Sequence, residues 1–236
     1  MTEEVDWKPY PRPFAKPVYH VAGNLLRLWM RAYGRWRVVG LENVPKTGGV
    51  LLASNHASII DPMMIGAALY GYRPVWLMGK IDMWKSKPLG WLNDRVGGFP
   101  VRRRSADRAA LKFTLEKLAA GDAVALFPEG ERTLDGKLQP ALPGITLLAQ
   151  KGGVPIVPVA CAGTFEMLPR NRKSLKRVPL TIAFGKPLVF PPGASREEVT
   201  RSVMEAIAAL LTSVGQPTDP PTLEAAEPEE KARAAR

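Results

Sequence analysis

Gly49-Val50-Leu51-Leu52-Ala53-Ser54-Asn55-His56-Ala57-Ser58-Ile59-Ile60-Asp61-Pro62 is the stretch from which the fold reads. It opens on a short apolar run, the pattern of a strand buried on both faces of a sheet. The polar knot Ser54-Asn55-His56 ends that run. A helix is expected to start near Asp61, where Pro62 suits the first helical turn because it has no N–H to leave unpaired. Strand, polar turn and helix in succession make the opening of a βα unit. Such units build sheets whose faces are covered by helices.

The same signature repeats on both sides. Arg37–Leu41, Pro74–Met78, Ala123–Phe127, Pro155–Ala160 and Leu180–Phe184 read as further strands. The two prolines of Val154-Pro155-Ile156-Val157-Pro158-Val159 suggest an edge or a bent strand. Ser105 is placed to cap a helix with Leu111, Leu115 and Leu118 on one face, stopped at Gly121. Ser195 and Glu198 form a capping box before Val199, Val203, Ile207, Leu210 and Val214, with Gly215 as the stop. The expected fold is α/β: a mixed, largely parallel sheet flanked by helices. No internal repeat and no Gly-rich nucleotide fingerprint is present.

At 236 residues and 46% hydrophobic composition the chain suits one domain with appended segments. One cysteine excludes a disulfide framework, and with two histidines a Cys/His zinc site is not expected. That cysteine usage favours a reducing, intracellular setting. The polar, acidic stretch from Met1 to Asp6 does not resemble a signal peptide, and without a run of about 18 apolar residues no bilayer-spanning helix is expected. The formal net charge is +11, and residues 215–236 carry five acidic against three basic residues, so the excess lies in the body. A body so basic expects nucleic acid, lipid headgroups or phosphorylated substrates as partners.

Three segments are expected along the chain. Residues 1–37 combine a proline-rich lead-in with an amphipathic helix over Val18–Trp36, an N-terminal helical element outside the sheet. Val18, Val21, Leu25, Leu28, Trp29, Ala32 and Trp36 follow one helical face, and Arg27, Arg31 and Arg35 recur on another. This suits a helix lying in a membrane interface, with Leu25, Arg27, Trp29, Arg31 and Trp36 as contacts. It also suits a helix packed on its own domain with a solvated basic face. Residues 38–214 form the α/β body, and 215–236, rich in Pro, Glu and Ala, are expected to be a disordered tail.

His56 is the most informative single residue. Imidazole accepts a proton from a hydroxyl near neutral pH, and a carboxylate five residues on, across a strand-to-helix turn, can hold its other nitrogen. A dyad of this kind lacks a protein nucleophile and suits direct activation of a substrate hydroxyl. The spacing equally fits a turn histidine bonded to backbone, with Asp61 as a helix cap. Arg102-Arg103-Arg104 before Ser105 read as an anion site at a helix start or as a solvated basic loop. In Phe127-Pro128-Glu129-Gly130-Glu131-Arg132-Thr133, Glu129 and Arg132 either pair or meet substrate, and Gly130 allows close backbone approach.

Taken in order, these blocks resemble the 1-acyl-glycerol-3-phosphate acyltransferases of the wider glycerolipid acyltransferase superfamily. His56 to Asp61 matches the family's His-x4-Asp. Gly97-Gly98-Phe99-Pro100-Val101-Arg102-Arg103 loosely matches its second block. Phe127 to Thr133 matches Phe-Pro-Glu-Gly-x-Arg-Ser/Thr, with Glu131 at the variable position. Val154 to Val159 matches the apolar Val-Pro block. Lys80-Ile81-Asp82-Met83 and Pro88-Leu89-Gly90-Trp91 are also similar to the family, and the likeness spans roughly Val38 to Pro187.

The resemblance implies transfer of an acyl chain from acyl-CoA or acyl carrier protein to the free hydroxyl of lysophosphatidic acid, giving phosphatidic acid. It implies His56 as the base and Asp61 as its orienting partner. Arg103, with Arg102 beside it, and Glu129, Gly130, Arg132 and Thr133 would place the glycerol phosphate. No cofactor and no metal is implied beyond the acyl donor. Partners would be an anionic membrane surface, lysophosphatidic acid and the donor, with no nucleic acid, and the location the cytoplasmic side of the cell membrane, as a peripheral protein. Another hydroxylated acceptor (glycerol 3-phosphate or a lysophospholipid) is the nearest alternative. A non-catalytic lipid-binding adaptor is the next.

Overall fold

The computed structural model describes residues 14, 16–102, 107–142, 144–191, 193–216 and 218. One sheet is formed by β1 (Arg37–Val39), β2 (Val50–Ser54), β3 (Val75–Lys80), β4 (Gly98–Val101), β5 (Ala123–Leu126), β6 (Ile156–Ala162) and β7 (Thr181–Phe184). Their order is β1-β7-β6-β2-β5-β3-β4. Every pairing is parallel except β6 with β7, so β7 and β1 run against the other five. The helices are α1 (Lys16–Gly34), α2 (Ile60–Leu69), α3 (Lys87–Arg95), α4 (Arg108–Ala119), α5 (Gly144–Gly152), the short α6 (Thr164–Met167) and α7 (Arg196–Ser213).

The strand residues alternate between two cores. Leu51, Ala53, Val124 and Leu126 pack with Phe113, Leu118, Ile145, Val203 and Ile207 from α4, α5 and α7. Val50, Leu52, Ala123 and Ala125 pack with Met64, Ile65 and Leu69 of α2 and Met30 of α1. Both faces of the central strands are therefore covered, which is why they read as continuous apolar runs.

The expected mixed, largely parallel sheet with flanking helices and an N-terminal helical element is the fold found. Three local differences have physical causes. Gly98–Val101, expected as a loop into the arginines, is strand β4. It lies at the sheet's outer edge, where a proline is tolerated because one side needs no ladder bonds, and Phe99 is fully buried. The cap of α4 is Asp107, whose side chain accepts from the Ala110 N–H, and Ser105 lies outside the described residues. β1 stops at Val39 because the chain turns through Gly40 into the helical turn Leu41–Asn43, tied by the Asn43 amide to the Phe184 carbonyl at 2.9 Å.

α1 ends at Gly34, two residues short of Trp36. A Cβ at Gly34 would lie 2.8 Å from the Leu180 side chain, so this glycine lets the helix end meet the sheet. Arg27, Trp29 and Trp36, expected at a membrane face, turn toward the body. Arg27 donates to the Tyr70 carbonyl at 3.1 Å and lies 5.7 Å from the Tyr70 ring centroid. Trp29 and Trp36 are half-buried against the α2-side core. The proline-rich lead-in and most of the expected tail lie outside the described residues. Of its first residues, Gln216 donates its N–H to the Leu211 carbonyl and its side-chain carbonyl accepts from the Gly163 N–H at 2.9 Å. Among the described residues no helix is long and apolar enough to cross a membrane.

Candidate active site

The carboxyl ends of β2, β5 and β6 lie side by side. Ala53 pairs with Leu126, and Ser54 with Val159. The turns that follow therefore leave the sheet at one edge, the place where α/β sheets build sites. The β2 turn is fastened to β6 by Asn55, whose amide accepts from the Cys161 N–H at 2.8 Å and donates to the Cys161 carbonyl at 3.0 Å.

Within that turn His56 and Asp61 meet. His56 Nδ1 is 2.9 Å from Asp61 Oδ2, and the same oxygen accepts the Ala57 and Ser58 N–H groups at 2.7 Å each. The carboxylate sits in the first turn of α2 and folds back to close the turn before it while holding the imidazole; it does not cap the helix, whose N-cap is Ile59 without a side-chain bond. With Nδ1–H assigned toward Asp61, Nε2 keeps its lone pair and has no protein partner among the described residues. The ring is stacked on Phe127, with centroids 3.9 Å apart and planes at 18°.

Nearby hydroxyls and the thiol are committed elsewhere. Ser54 donates to the Asn55 carbonyl, Ser58 to the Leu168 carbonyl and Thr133 to Asp135. Burial pushes the Cys161 thiol well up from its ordinary value. None of these groups is hydrogen-bonded to His56, so among the described residues the imidazole has no hydroxyl or thiol partner.

Glu129, expected to touch the glycerol phosphate, is 1% exposed and lies beside His56. Its Oε1 accepts the His56 N–H at 2.6 Å and its Oε2 the Gln139 N–H at 2.9 Å. Burial raises its carboxyl to about 8; those two N–H donors oppose the rise, and Asp61 and Asp135 add to it. Thr133 has a similar part: its N–H donates to the His56 carbonyl at 2.9 Å. Gly130 adopts a φ of +75°, and a Cβ there would collide with Leu142, so packing of its own loop accounts for the glycine. Arg102 leaves β4 with its N–H held by Asp107 Oδ2 at 2.8 Å. Arg103 lies outside the described residues.

Arg132 is half-buried with no carboxylate at ion-pair distance among the described residues. Burial first, and then the neighbouring Arg170, lower its pKa, while Asp61 opposes them. Arg170 was not singled out by sequence reasoning. It pairs with Glu131 at 3.4 Å, which accounts for the acid at the variable position of the third block. Its segment is held to the His56 turn by the Ser58 hydroxyl, 2.7 Å from the Leu168 carbonyl. Two neighbouring guanidinium groups at the rim suit an anionic group. Beside His56 opens a cavity of about 270 Å³, walled in part by Thr133, Asp135, Lys137, Phe165, Glu166 and Gln216. Its carboxylates make it unsuited to phosphate, and the two arginines lie outside its walls. Among the described residues no group of three or more His, Cys, Asp and Glu is arranged to hold a metal ion.

An imidazole locked to a carboxylate, with no hydroxyl or thiol bonded to it among the described residues, thus lies at the carboxyl edge of an α/β sheet, where such folds place group-transfer sites. The chain belongs to the acyltransferase family, whose model, described as Acyltransferase, matches residues 35–162. It is 28% identical over 172 residues to 1-acyl-sn-glycerol-3-phosphate acyltransferase of Bacillus subtilis, covering 72% of this chain and 82% of that one. It is 29% identical over 178 residues to a 1-acyl-sn-glycerol-3-phosphate acyltransferase of Chlamydomonas reinhardtii, covering 74% of this chain and about half, 52%, of that longer protein. The crystal structure of the 1-acyl-sn-glycerophosphate (LPA) acyltransferase PlsC from Thermotoga maritima superposes with a TM-score of 0.70 at 25% identity, covering 84% of this chain and 78% of that one.

Proposed function

We propose that this protein transfers an acyl chain from acyl-CoA, or acyl carrier protein, to the free hydroxyl of 1-acyl-glycerol-3-phosphate, giving phosphatidic acid for phospholipid synthesis. The observation that carries the reading is His56, bonded to Asp61 through Nδ1 and left with a free Nε2. The relatives named for this reaction in Bacillus and Thermotoga support it.

His56 Nε2 takes the proton from the acceptor hydroxyl as its oxygen attacks the thioester carbonyl. Asp61 stabilises the imidazolium that forms, and the three donors on its Oδ2 keep it in place. Collapse of the tetrahedral intermediate expels the thiolate, which recovers the proton from His56. No acyl-enzyme forms. Arg132 and Arg170 receive the acceptor phosphate, with Arg103 and Arg102 as further contacts from the β4 end. Glu129, Gly130 and Thr133 position the turns around the base. Residues 38–214 make up the acyltransferase domain, 1–37 the docking segment and 215–236 a tail.

The acceptor lives in a bilayer, so the protein works as a peripheral protein on the cytoplasmic face of an anionic membrane. α1 presents Val21, Leu25 and Leu28, 60%, 61% and 64% exposed, as one stripe at helical spacing, with exposed Arg31 at its end. Such a stripe beside basic groups suits the headgroup boundary. The test is product formation from labelled acyl-CoA with lysophosphatidic acid, glycerol 3-phosphate and monoacylglycerol, for wild type and His56→Ala. Phosphatidic acid as the main product, lost in the variant, is the expected result. Preference for another acceptor would overturn the assignment of substrate, and a fully active His56→Ala would overturn the mechanism.

A further inference from the structure

Residues 170–177 read Arg170-Asn171-Arg172-Lys173-Ser174-Leu175-Lys176-Arg177, with five basic residues and no acid. Beyond Arg170, proposed acyl transfer makes no use of this run. It is not a loose charged thread. The Arg172 guanidinium donates to the Glu166, Met167 and Ser174 carbonyls, and the Lys176 N–H returns to the Met167 carbonyl at 2.9 Å. That framework leaves Lys173, Leu175, Lys176 and Arg177 exposed, Leu175 by 45%. Neither lysine has an ion-pair partner among the described residues.

The loop is joined at two places to elements that matter. Tyr33 of α1 donates its hydroxyl to the Leu175 carbonyl at 3.3 Å, and Arg177 donates to the Ala32 carbonyl at 3.0 Å. Ala32 is exposed and continues the helical spacing of Val21, Leu25 and Leu28, so the loop sits where the exposed stripe of α1 ends. At its other end, Leu168 is held to the His56 turn by Ser58.

A helix lying on a bilayer touches it along a line, and rotation about that line remains free. A second contact made by another segment of the body restricts that rotation. We propose that the 173–177 loop is this second contact: a basic, leucine-bearing platform for anionic lipid headgroups that, with α1, sets the roll of the domain so that the His56 site faces the membrane. The inference rests on the reading of the protein as an enzyme acting on a bilayer-resident acceptor. Lys173 and Lys176 supply the headgroup charge, and Leu175 between them inserts at the boundary. An acidic protein partner would be served by the charge but has no use for an exposed leucine beside an apolar helical stripe, and this favours the bilayer.

The full chain, Lys173→Gln/Lys176→Gln and Leu175→Ser are floated with vesicles of equimolar phosphatidylcholine and phosphatidylglycerol, and each is assayed on acceptor dispersed in detergent. Each lysine near an anionic leaflet contributes about fivefold in partitioning, so the double variant should bind roughly 30-fold more weakly at low salt. Leu175→Ser should lose part of the binding that persists at high salt. Activity in detergent should be unchanged in both. The proposal is overturned if the double variant floats like wild type, or if wild type does not float at all. It is also overturned if the variants float normally and lose rate only with acyl carrier protein as donor, which would assign the loop to an acidic protein. Flotation reads the loop without catalysis, so an absence of acyl transfer by wild type would count against the proposed reaction and leave this readout intact.

Discussion

His56 and Asp61 show how one buried carboxylate serves two ends, closing the turn between β2 and α2 and holding the imidazole of the proposed base. His56→Ala should lower turnover by about 10²- to 10⁴-fold, the usual worth of a positioned general base, with circular dichroism unchanged. Glu129 acts through His56 and its pH behaviour is testable. Its carboxyl is raised from 4.5 to about 8 in the fold. Below the ordinary value, folded and unfolded chains both hold the proton and stability is independent of this group. Between the two values only the folded chain holds it, so stability falls as pH rises, by up to about 1.4 kcal/mol per unit. Glu129→Gln removes that slope. Urea midpoints at about pH 5.5 and about pH 7.5 should therefore differ less in the variant than in wild type; equal differences would mean Glu129 stays ionised throughout. Arg132→Ala and Arg170→Ala should each weaken use of lysophosphatidic acid roughly 10- to 100-fold, the worth of one charge-assisted bond. Their effect on monoacylglycerol should be much smaller, read as KM against kcat for the two acceptors.

At the scale of elements, end chemistry was legible where a cap is local and obscured where it is not. Ser195 caps α7 by accepting the Glu198 N–H at 3.0 Å, as its capping box implied. α4 is different. Asp107 takes the Ala110 N–H on Oδ1 and the Arg102 N–H on Oδ2, so it fastens the exit of β4 as well as the start of the helix. Nothing in the local pattern around Ser105 announces the second bond, because it depends on where β4 lies. Asp107→Ala should destabilise the fold by about 1–2 kcal/mol, somewhat beyond an ordinary cap, measured by urea denaturation. It should also weaken use of the phosphorylated acceptor if Arg102 helps hold it; loss of stability alone would make Asp107 a cap and nothing more. β4 itself was missed because Gly98 and Pro100 argue against a strand in isolation, and only its place at the sheet edge makes the proline harmless.

For the whole molecule the question is which surface meets the acceptor's membrane. α1 is apolar on two sides. Met30 is fully buried against the body, and Val21, Leu25 and Leu28 face outward. Binding to anionic vesicles should weaken with salt and persist in part, since screening acts on Arg31 and Arg35 and not on the exposed stripe. Arg31→Glu/Arg35→Glu should lose the salt-sensitive part, and Leu25→Ser/Leu28→Ser the remainder. Sedimentation with vesicles across a salt series separates the two. Binding that is insensitive to the leucine pair would mean the stripe is not inserted.

The sequence by itself determined whatever is written in short range. The apolar runs of the strands, the Ser195 cap, and the five-residue step from His56 to Asp61 are set by chain geometry and hydrophobic periodicity, which act over one or two turns. The order of the family blocks belongs here too, and with it the acyl-transfer reading. Only the tertiary structure decided which groups are covered and which distant groups meet. Periodicity marked one apolar face on α1 and did not say whether it would be covered; Val21, Leu25 and Leu28 of that face are exposed, and Met30, outside it, is fully buried. The Phe-Pro-Glu-Gly block left Glu129 either to pair with Arg132 or to meet substrate, and its oxygens are instead taken by the His56 and Gln139 N–H groups, because burial and partners depend on what packs around a residue. Arg170 carried no local sign of function. It reaches the site because Ser58 binds the carbonyl of Leu168, 110 residues along the chain, and desolvation and charge proximity are properties of that meeting.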